Sequence, residues 1–232
     1  MNWNDLATAL FGADHAVRAD GVFLSGAGQL DGRTLAVIGT TDHAAIGFDL
    51  ALRQARVVLE VMAAHPGRPI LLLIDTQGQQ LRRHDEMLGI HRAMAHLGQC
   101  IDLARRQGHA VLGLVYDQAL SGGFITSGLM ADACDALPGA EIRVMRLPAM
   151  ARITRLPEAM LAELSQANPV FAPGVANYVA MGGVRRLWTG GPAEALRQAL
   201  ADLPTEDVRA RDGRERGGRR LADEIVSRVL AA

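Results

Sequence analysis

Two adjacent glycines, Gly122 and Gly123, stand where an apolar run ends and a helix-like run begins, within the stretch DQALSGGFITSGLMAD. The N–H groups at a helix start have no partner inside the helix and attract negative charge. Two such amides without side chains can approach a ligand oxygen closely, so the pair predicts an oxyanion site. A Gly-Gly pair also permits tight packing or a positive φ, which is the structural alternative.

A second candidate loop, IDTQGQQ, follows the apolar run ILLL. Ligands of parallel α/β proteins gather beyond the carboxyl ends of the strands, so both loops are expected at one pocket. Asp75 ends the strand and is expected to cap or brace the loop. A glutamine amide could hold a carboxylate by donating to it, although glutamines in loops are often simply exposed. The expected substrate contacts in this loop are Thr76, Gln77, Gly78 and Gln79.

Ser121 and His84 are side chains near these loops that could take part in catalysis. Ser121 is expected among the substrate contacts, but it does not lie in a GxSxG elbow, so a nucleophilic serine is not predicted. His84 is a candidate proton donor, because imidazole transfers protons near neutral pH; a polar residue at a helix start is the alternative. His91 is expected on the same helix face, and Asp85 should complement that helix's N-terminus.

The composition is that of a close-packed α/β protein. The 232 residues suit one domain with a large core, and 49% of them are apolar while only 4% are aromatic. The formal net charge of −1 argues against a nucleic-acid-binding surface. The sequence contains no lysine, which excludes a lysine Schiff base and a P-loop lysine.

The cysteines and the N-terminus indicate a cytoplasmic protein. Cys100 and Cys134 lie far apart without CxxC spacing, so neither a disulfide framework nor a cysteine-based zinc site is predicted, and no metal ligand is expected in the chain. The N-terminal segment 1–30 lacks the pattern of a signal peptide. The apolar runs are too short to cross a bilayer, and no membrane association is expected.

Apolar runs of strand length alternate with helical periodicity along the chain, which predicts β-α-β units, a parallel sheet and right-handed crossovers. A charged loop is expected over 205–220, before the last helix. Strands are predicted at 35–40, 69–76, 109–117 and 141–145. Helices are predicted at 49–64, 85–106, 123–133, 156–167, 192–203 and 221–232.

The segment from Leu71 to Met130 resembles the carboxyltransferase branch of the crotonase superfamily. In that branch a DTPG-type loop precedes a Glu-x-x-Gly helix start, a buried strand and a GG turn into a helix. The matching stretches are IDTQGQQLRRHDEMLGI and VYDQALSGGFITSGLMADA, continued by ADACDALPGAEIRVM. The resemblance covers most of residues 35–150. It implies one crotonase-like (ClpP/crotonase) domain over 1–232, with parallel β-α-β units and C-terminal helices.

Departures from the family pattern restrict the resemblance to one group of its members. Gln77 stands at the proline of DTPG, and Leu81-Arg82 replaces a Pro-Gly pair of the biotin-dependent members. The short chain and its tail MGGVRRLWTGGPAEALRQAL resemble the gamma subunits of biotin-independent malonate decarboxylases.

That resemblance implies a reaction and a set of partners. A heterodimer with a beta subunit would decarboxylate malonate carried as a thioester on the phosphopantetheine-type arm of an acyl-carrier subunit, and a separate acyl-carrier transferase would exchange acetyl for malonate. No biotin and no covalently bound cofactor are expected on this chain. The Gly122 and Gly123 amides would hold an oxygen of the departing carboxylate or of the thioester, stabilising the enolate.

Two other readings of the family remain open from the sequence. One is a subunit of a biotin-dependent acyl-CoA carboxyltransferase, and the other is a non-catalytic scaffold that completes the beta subunit. An acyl-CoA hydratase would need paired acidic residues in the pocket, and the sequence offers no matching pair. Two apolar segments, ITSGLMADACDAL and AMLAELSQANPVFAPGVANYVAM, are expected to be buried against the partner.

Overall fold

The computed structural model describes residues 1–167, 174–216 and 221–232 of the chain. The strands are β1 (Arg18–Asp20), β2 (Phe23–Leu30), β3 (Arg33–Thr40), β4 (Ala44–Ile46), β5 (Ile70–Gln79), β6 (Val111–Leu120), β7 (Ala133–Ala136) and β8 (Glu141–Arg143). The helices are α1 (Trp3–Phe11), α2 (Phe48–Ala64), α3 (Arg83–Leu88), α4 (Ile90–Arg106), α5 (Ser121–Ile125), α6 (Leu147–Thr154), α7 (Glu158–Ala167), α8 (Val175–Ala180), α9 (Pro192–Ala201), α10 (Arg209–Glu215) and α11 (Ala222–Leu230), with a 3₁₀ turn at Gly128–Met130.

One mixed sheet organises the chain, with the strand order β1-β2-β3-β5-β6-β7. The first three strands are antiparallel, whereas β3, β5, β6 and β7 are parallel neighbours. Beyond this sheet, β4 pairs with the end of β5 and β8 pairs with the end of β6. The predicted α/β class with parallel β-α-β units is confirmed. The segment 1–30 adds α1, β1 and β2, for which the sequence analysis predicted no structure.

Both faces of the sheet are covered, which explains why the central strands are continuously apolar. Alternate side chains of β5 point to opposite faces, so Leu72 and Leu71 belong to different cores. The first face packs against α2 and α4 through Ala55, Val58, Leu97 and Ile101. The second packs against α1 and α9 through Leu6, Leu10, Leu196 and Ala199.

The loops predicted after the two buried strands are the strands' own ends. IDTQGQ lies within β5 because β4 pairs with it, and DQAL lies within β6 because β8 pairs with it. Two short partner strands, which the sequence analysis did not find, therefore extend the ladder into both candidate site segments.

The helix predicted over 123–133 is wrong. Only the short helix α5 forms, and the chain then passes through the 3₁₀ turn into β7, which pairs with β6. The Ser127 and Thr126 hydroxyls donate to the Gly123 and Gly122 carbonyls, at 2.7 and 2.8 Å. Such local side-chain bonds compete with helix continuation.

The helix predicted over 85–106 is broken at Gly89, whose φ is +83°. His84 therefore belongs to α3 and His91 to α4, so they do not share one helix face. The left-handed conformation at Gly89 ends α3 as a C-terminal glycine commonly does.

The charged loop predicted over 205–220 contains the helix α10. Arginines dock this segment onto the body of the protein. Arg209 lies 3.3 Å from the Leu129 carbonyl, and Arg216 donates to the Val184 carbonyl at 3.0 Å. Residues 217–220 lie outside the described part of the chain. No helix in the described ranges is both long and apolar enough to span a membrane.

Candidate active site

The two candidate segments meet at the end of β5 and the turn from β6 into α5. Gly78 has a φ of +100°, and a Cβ there would lie 2.9 Å from the Ser121 Cβ and 3.2 Å from the Leu120 carbonyl oxygen. Only glycine combines this backbone conformation with so close an approach. Gly78 thus allows the β5 end to touch the start of α5, as the strand-end argument from the sequence predicted.

Gly123 is glycine for a packing reason. A Cβ at this position would lie 2.9 Å from both Ile46 Cγ1 and Thr76 Oγ1, and 3.1 Å from the Gly78 Cα. The space that a side chain would need is filled by the protein itself, which bears out the structural alternative for this glycine. Its N–H lies in the first turn of α5, where no intrahelical acceptor is available.

Thr76 uses its hydroxyl to hold the site backbone in place. The buried Oγ1 donates to the Ala44 carbonyl at 2.6 Å and accepts from the Gly78 N–H at 3.0 Å. These two bonds join β4 to β5 and brace the left-handed residue. The geometry favours a positioning role, while the predicted substrate contact stays a prediction.

Gln79 and Gly122 form the polar contact at the centre of the site. The Gly122 N–H donates to Gln79 Oε1 at 3.2 Å, and both residues are half-buried. The side-chain oxygen therefore occupies the position that an acceptor oxygen of a ligand would take on this amide.

Ser121 joins the glycine turn to a neighbouring cavity. Its φ is +49°, an uncommon value outside glycine, and its hydroxyl donates to the Val144 carbonyl. The cavity has a volume of about 670 Å³, and the Arg143 side chain is its charged member. Its apolar lining includes Phe124, Ile125, Val144, Met150, Tyr178 and Met181.

Comparison of the sequence with known protein families shows which family this chain belongs to. Residues 41–232 match the family described as malonate decarboxylase gamma subunit. The chain is a member of that family. It is also 30% identical, over 204 residues, to the malonyl-S-ACP:biotin-protein carboxyltransferase MADD of Malonomonas rubra, covering 78% of this chain and 70% of that protein.

Solved structures agree with this family membership. A chain of the Pseudomonas malonate decarboxylase hetero-tetramer in complex with coenzyme A is similar over 100% of this chain and 99% of that one, with 26% identity and a TM-score of 0.81. The Pseudomonas MdcD-MdcE hetero-dimer gives 27% identity and 0.78, covering 98% of each chain. Transcarboxylase 12S, at 20% identity and 0.69 over 86% of this chain and 40% of that one, shares the fold. The predicted crotonase-type carboxyltransferase fold is confirmed.

Two residues expected at the family site are exposed to solvent. Gln77 is exposed, and strand alternation directs its side chain to the face opposite Thr76. His84 is exposed on α3. Their roles as substrate contact and proton donor stay predictions.

Asp85 supports a different helix from the one expected. Its buried carboxylate accepts from the Phe48 N–H at 2.9 Å, at the start of α2, and from Arg82 Nε at 3.0 Å. The bond from the Phe48 amide is the main cause that lowers the pKa of the Asp85 carboxyl, and Arg82 adds to it. Asp85 thus caps the N-terminus of α2, and its ion pair with Arg82 holds the Arg82 side chain against α3.

A cluster of three side chains was not found from the sequence: His43, Asp75 and Asp117. His43 Nε2 lies 3.7 Å from Asp75 Oδ1 and 3.5 Å from Asp117 Oδ2. Burial raises the pKa of the Asp75 carboxyl. Asp75 braces the segment before β4 by accepting from the His43 N–H at 2.9 Å. Each of the three residues lies at or just after the end of an apolar run that forms a buried strand. That shared position in the sequence is the signal that could have revealed the cluster.

Proposed function

We propose that this chain is the gamma subunit of a malonate decarboxylase and that it acts together with a beta subunit. The pair would convert malonyl-S-acyl-carrier protein to acetyl-S-acyl-carrier protein and carbon dioxide, a carbon–carbon lyase reaction. Family membership over residues 41–232 is the observation that carries the proposal. The contact between the β5 end and the glycine turn supports it.

The chemical problem is the charge that develops when carbon dioxide leaves. The bond from the carboxylate carbon to Cα breaks, and its electron pair passes to Cα and the thioester oxygen as an enolate. Preorganised amide donors stabilise such an oxygen, each contributing about 2.7–4 kcal/mol to lowering the barrier. The Gly122 and Gly123 amides are the proposed donors, to an oxygen of either the thioester or the departing carboxylate.

The hydrogen bond between Gln79 and Gly122 can be exchanged for one between Gly122 and the substrate. A substrate oxygen would replace Gln79 Oε1 on the Gly122 amide, and the released side-chain amide could then donate to the substrate. Cα must also take up a proton. His84 is the proposed donor on this chain, and a His84→Gln variant that keeps full turnover in the complex would remove it from that role.

The cavity beside Ser121 is the proposed path for the carrier arm. Its largely apolar wall suits a flexible thioester arm, and Arg143 offers donors to an amide or carboxylate oxygen. The phosphopantetheine-type group belongs to the acyl-carrier subunit, and this chain is proposed to hold no cofactor covalently. Cys100 and Cys134 are buried free thiols, in keeping with the proposed cytoplasmic location.

Reconstitution tests whether the reaction needs both the gamma and the beta subunit. The related Pseudomonas chains form an MdcD-MdcE hetero-dimer and a hetero-tetramer, which supports a beta partner and a larger assembly for this chain. The carrier and transferase subunits of that assembly are proposed from the family resemblance. Malonyl-carrier decarboxylation should be measured with gamma alone, beta alone and both together. We expect full turnover with both only; full turnover by beta alone would make gamma a scaffold, and full turnover by gamma alone would refute the shared site.

A second candidate function is carboxyl transfer to a biotin protein, which the 30% identity to MADD favours. Against it, Arg82 stands where biotin-dependent members carry glycine, and its side chain is tied to Asp85. The complex should be assayed with excess avidin and with biotin-free components. We expect no loss of decarboxylation. Activity lost under avidin and restored by a biotinyl carrier would support the transferase instead.

A further inference from the structure

We propose that His43, Asp75 and Asp117 form a binding site for one divalent transition-metal ion, with zinc as the best fit. The three ligand atoms, one from each side chain, lie within 4.8 Å of one another. They come from the segment between β3 and β4, from β5 and from β6, so that one ion would tie three neighbouring segments together. The proposal does not depend on the reaction proposed above.

Asp75 provides the observation that points to a ligand. The residue is only 3% exposed, and its Oδ1 has no hydrogen-bond partner among the described residues. Its other oxygen is held by the His43 amide, which directs Oδ1 toward the His43 ring at 3.7 Å. A buried carboxylate oxygen that accepts no hydrogen bond is unfavourable, and buried charges in proteins are paired or coordinate metals.

The spacing of the ligand atoms fits a tetrahedral site. Ligands at about 2.0–2.1 Å from zinc with tetrahedral angles lie about 3.3 Å apart. The distances from His43 Nε2 to the two carboxylates are 3.5 and 3.7 Å, and all three ligand atoms lie within 4.8 Å of one another, so side-chain rotations would bring the atoms into place. The side chains of His43 and Asp117 are each 51% exposed, which gives them room to move and leaves a fourth position for water.

The ligand types argue for zinc over magnesium or calcium. An imidazole nitrogen suits zinc, copper, nickel or iron, whereas calcium takes six to eight oxygens. The strand geometry explains how the carboxylates come together. The pairing register of β5 and β6 shifts between Ile74 and Thr76, where Asp75 and Asp117 lie. Adjacent strand residues point to opposite faces, so the ion would lie across β5 from Thr76.

Calorimetry on the chelator-treated full chain tests the site, with zinc chloride as titrant and cobalt(II) absorption as a report of tetrahedral geometry. We expect one saturable ion per chain and at least about a tenfold loss of affinity in both His43→Gln and Asp117→Asn. These half-exposed positions leave the core intact. His96→Gln is the matched control, because His96 lies beside Cys100 and could otherwise bind zinc; it should bind like wild type.

Three results would overturn the proposal. One is the absence of saturable binding up to about 100 µM zinc, because a preformed site should have a dissociation constant below that concentration. Another is unchanged affinity in both ligand variants. The third is a His43 ring whose NMR signals respond to protonation but not to zinc, since the cluster would then be an ion pair of imidazolium with two carboxylates.

Discussion

At the scale of single residues, packing determines the identity of Gly123. A Cβ there would contact Ile46 and Thr76 at distances that real side chains do not adopt. Gly122 differs, because its missing side chain faces Gln79 Oε1 and Met94 Cε, both ends of flexible side chains. The two adjacent glycines therefore have separate reasons to be glycine, and separate experiments address them.

Gly123→Ala should lower the free energy of unfolding by about 1–3 kcal/mol, the usual cost of overpacking. Equilibrium denaturation of the isolated chain measures this. Gly190→Ala is the control, because a Cβ at Gly190 meets nothing within 4 Å and should leave the midpoint nearly unchanged. Equal midpoints for the two variants would contradict the packing explanation.

Gln79→Glu should reduce turnover of the reconstituted complex at least about a hundredfold, the scale of losing one oxyanion donor. The new carboxylate would accept from the Gly122 amide more strongly than the amide oxygen does and would repel an anionic substrate. Gln107→Glu adds the same charge at an exposed helix end and should keep normal turnover. A Gln79→Glu complex with wild-type kcat and KM would show that this amide does not meet substrate.

At the scale of elements, the N-terminus of α2 is capped by a side chain that belongs to α3. Its N-cap residue is Gly47, which has no side chain to offer. A Cβ on Gly47 would lie 2.6 Å from Asp85 Oδ1, so glycine leaves room for the Asp85 carboxylate to reach the Phe48 amide. A negative charge at this end is favourable because helix N-termini carry partial positive charge.

Asp85→Asn should be less stable than wild type at pH 7, and the difference should shrink as the pH falls. The folded-state pKa of Asp85 is lowered relative to its unfolded value of about 3.9. Its contribution is therefore fully present above that unfolded value and is lost as the pH falls through the folded pKa. Denaturant titrations from pH 7 to pH 3 measure this.

Glu86→Gln serves as the control for Asp85→Asn, because it removes an exposed carboxylate from the same helix. Its stability curve should run parallel to that of wild type. A gap between Asp85→Asn and wild type that stayed constant down to pH 3 would mean that the charge of Asp85 does not support α2.

At the scale of the whole molecule, the first of the two segments expected at the partner face contributes mainly to the chain's own core. Most apolar residues of 125–137 are buried in the chain's own core, because β7 lies within the sheet. The second expected segment runs partly through 168–173, outside the described residues. Helix α11 and the residue before it expose an apolar stripe, formed by Leu221, Ile225, Val226, Val229 and Leu230. Since the proposed partner of this chain is a beta subunit, we expect that subunit to cover the stripe.

Val229→Glu should weaken association with the beta subunit at least about tenfold, or about 1.4 kcal/mol, because it places a charge in the apolar stripe. Analytical ultracentrifugation or calorimetry of the pair measures the Kd. Ser227→Glu, on the polar side of the same helix, should bind normally. Equal affinities of both variants would place the partner elsewhere.

The sequence by itself determined the central buried strands and the order of the two site segments that follow them. ILLLI and VLGLV are continuous apolar runs because both faces of their strands are covered, and this is a local signal. The prediction that the β5 end meets the glycine turn needed only the rule that parallel strands share a carboxyl edge. The family motifs within residues 71–130 carried the function, because a motif retains residue types in order along the chain.

Only the tertiary structure decided which atoms meet. Asp85 and Phe48 are 37 positions apart, and Asp75 and His43 are 32, so no periodicity in either segment encodes those contacts. The space at Gly123 depends on Ile46 and Thr76, which reach it through the pairing of β4 with β5. Close packing, register and charge pairing depend on distances between remote segments, and those distances exist only after the chain has folded.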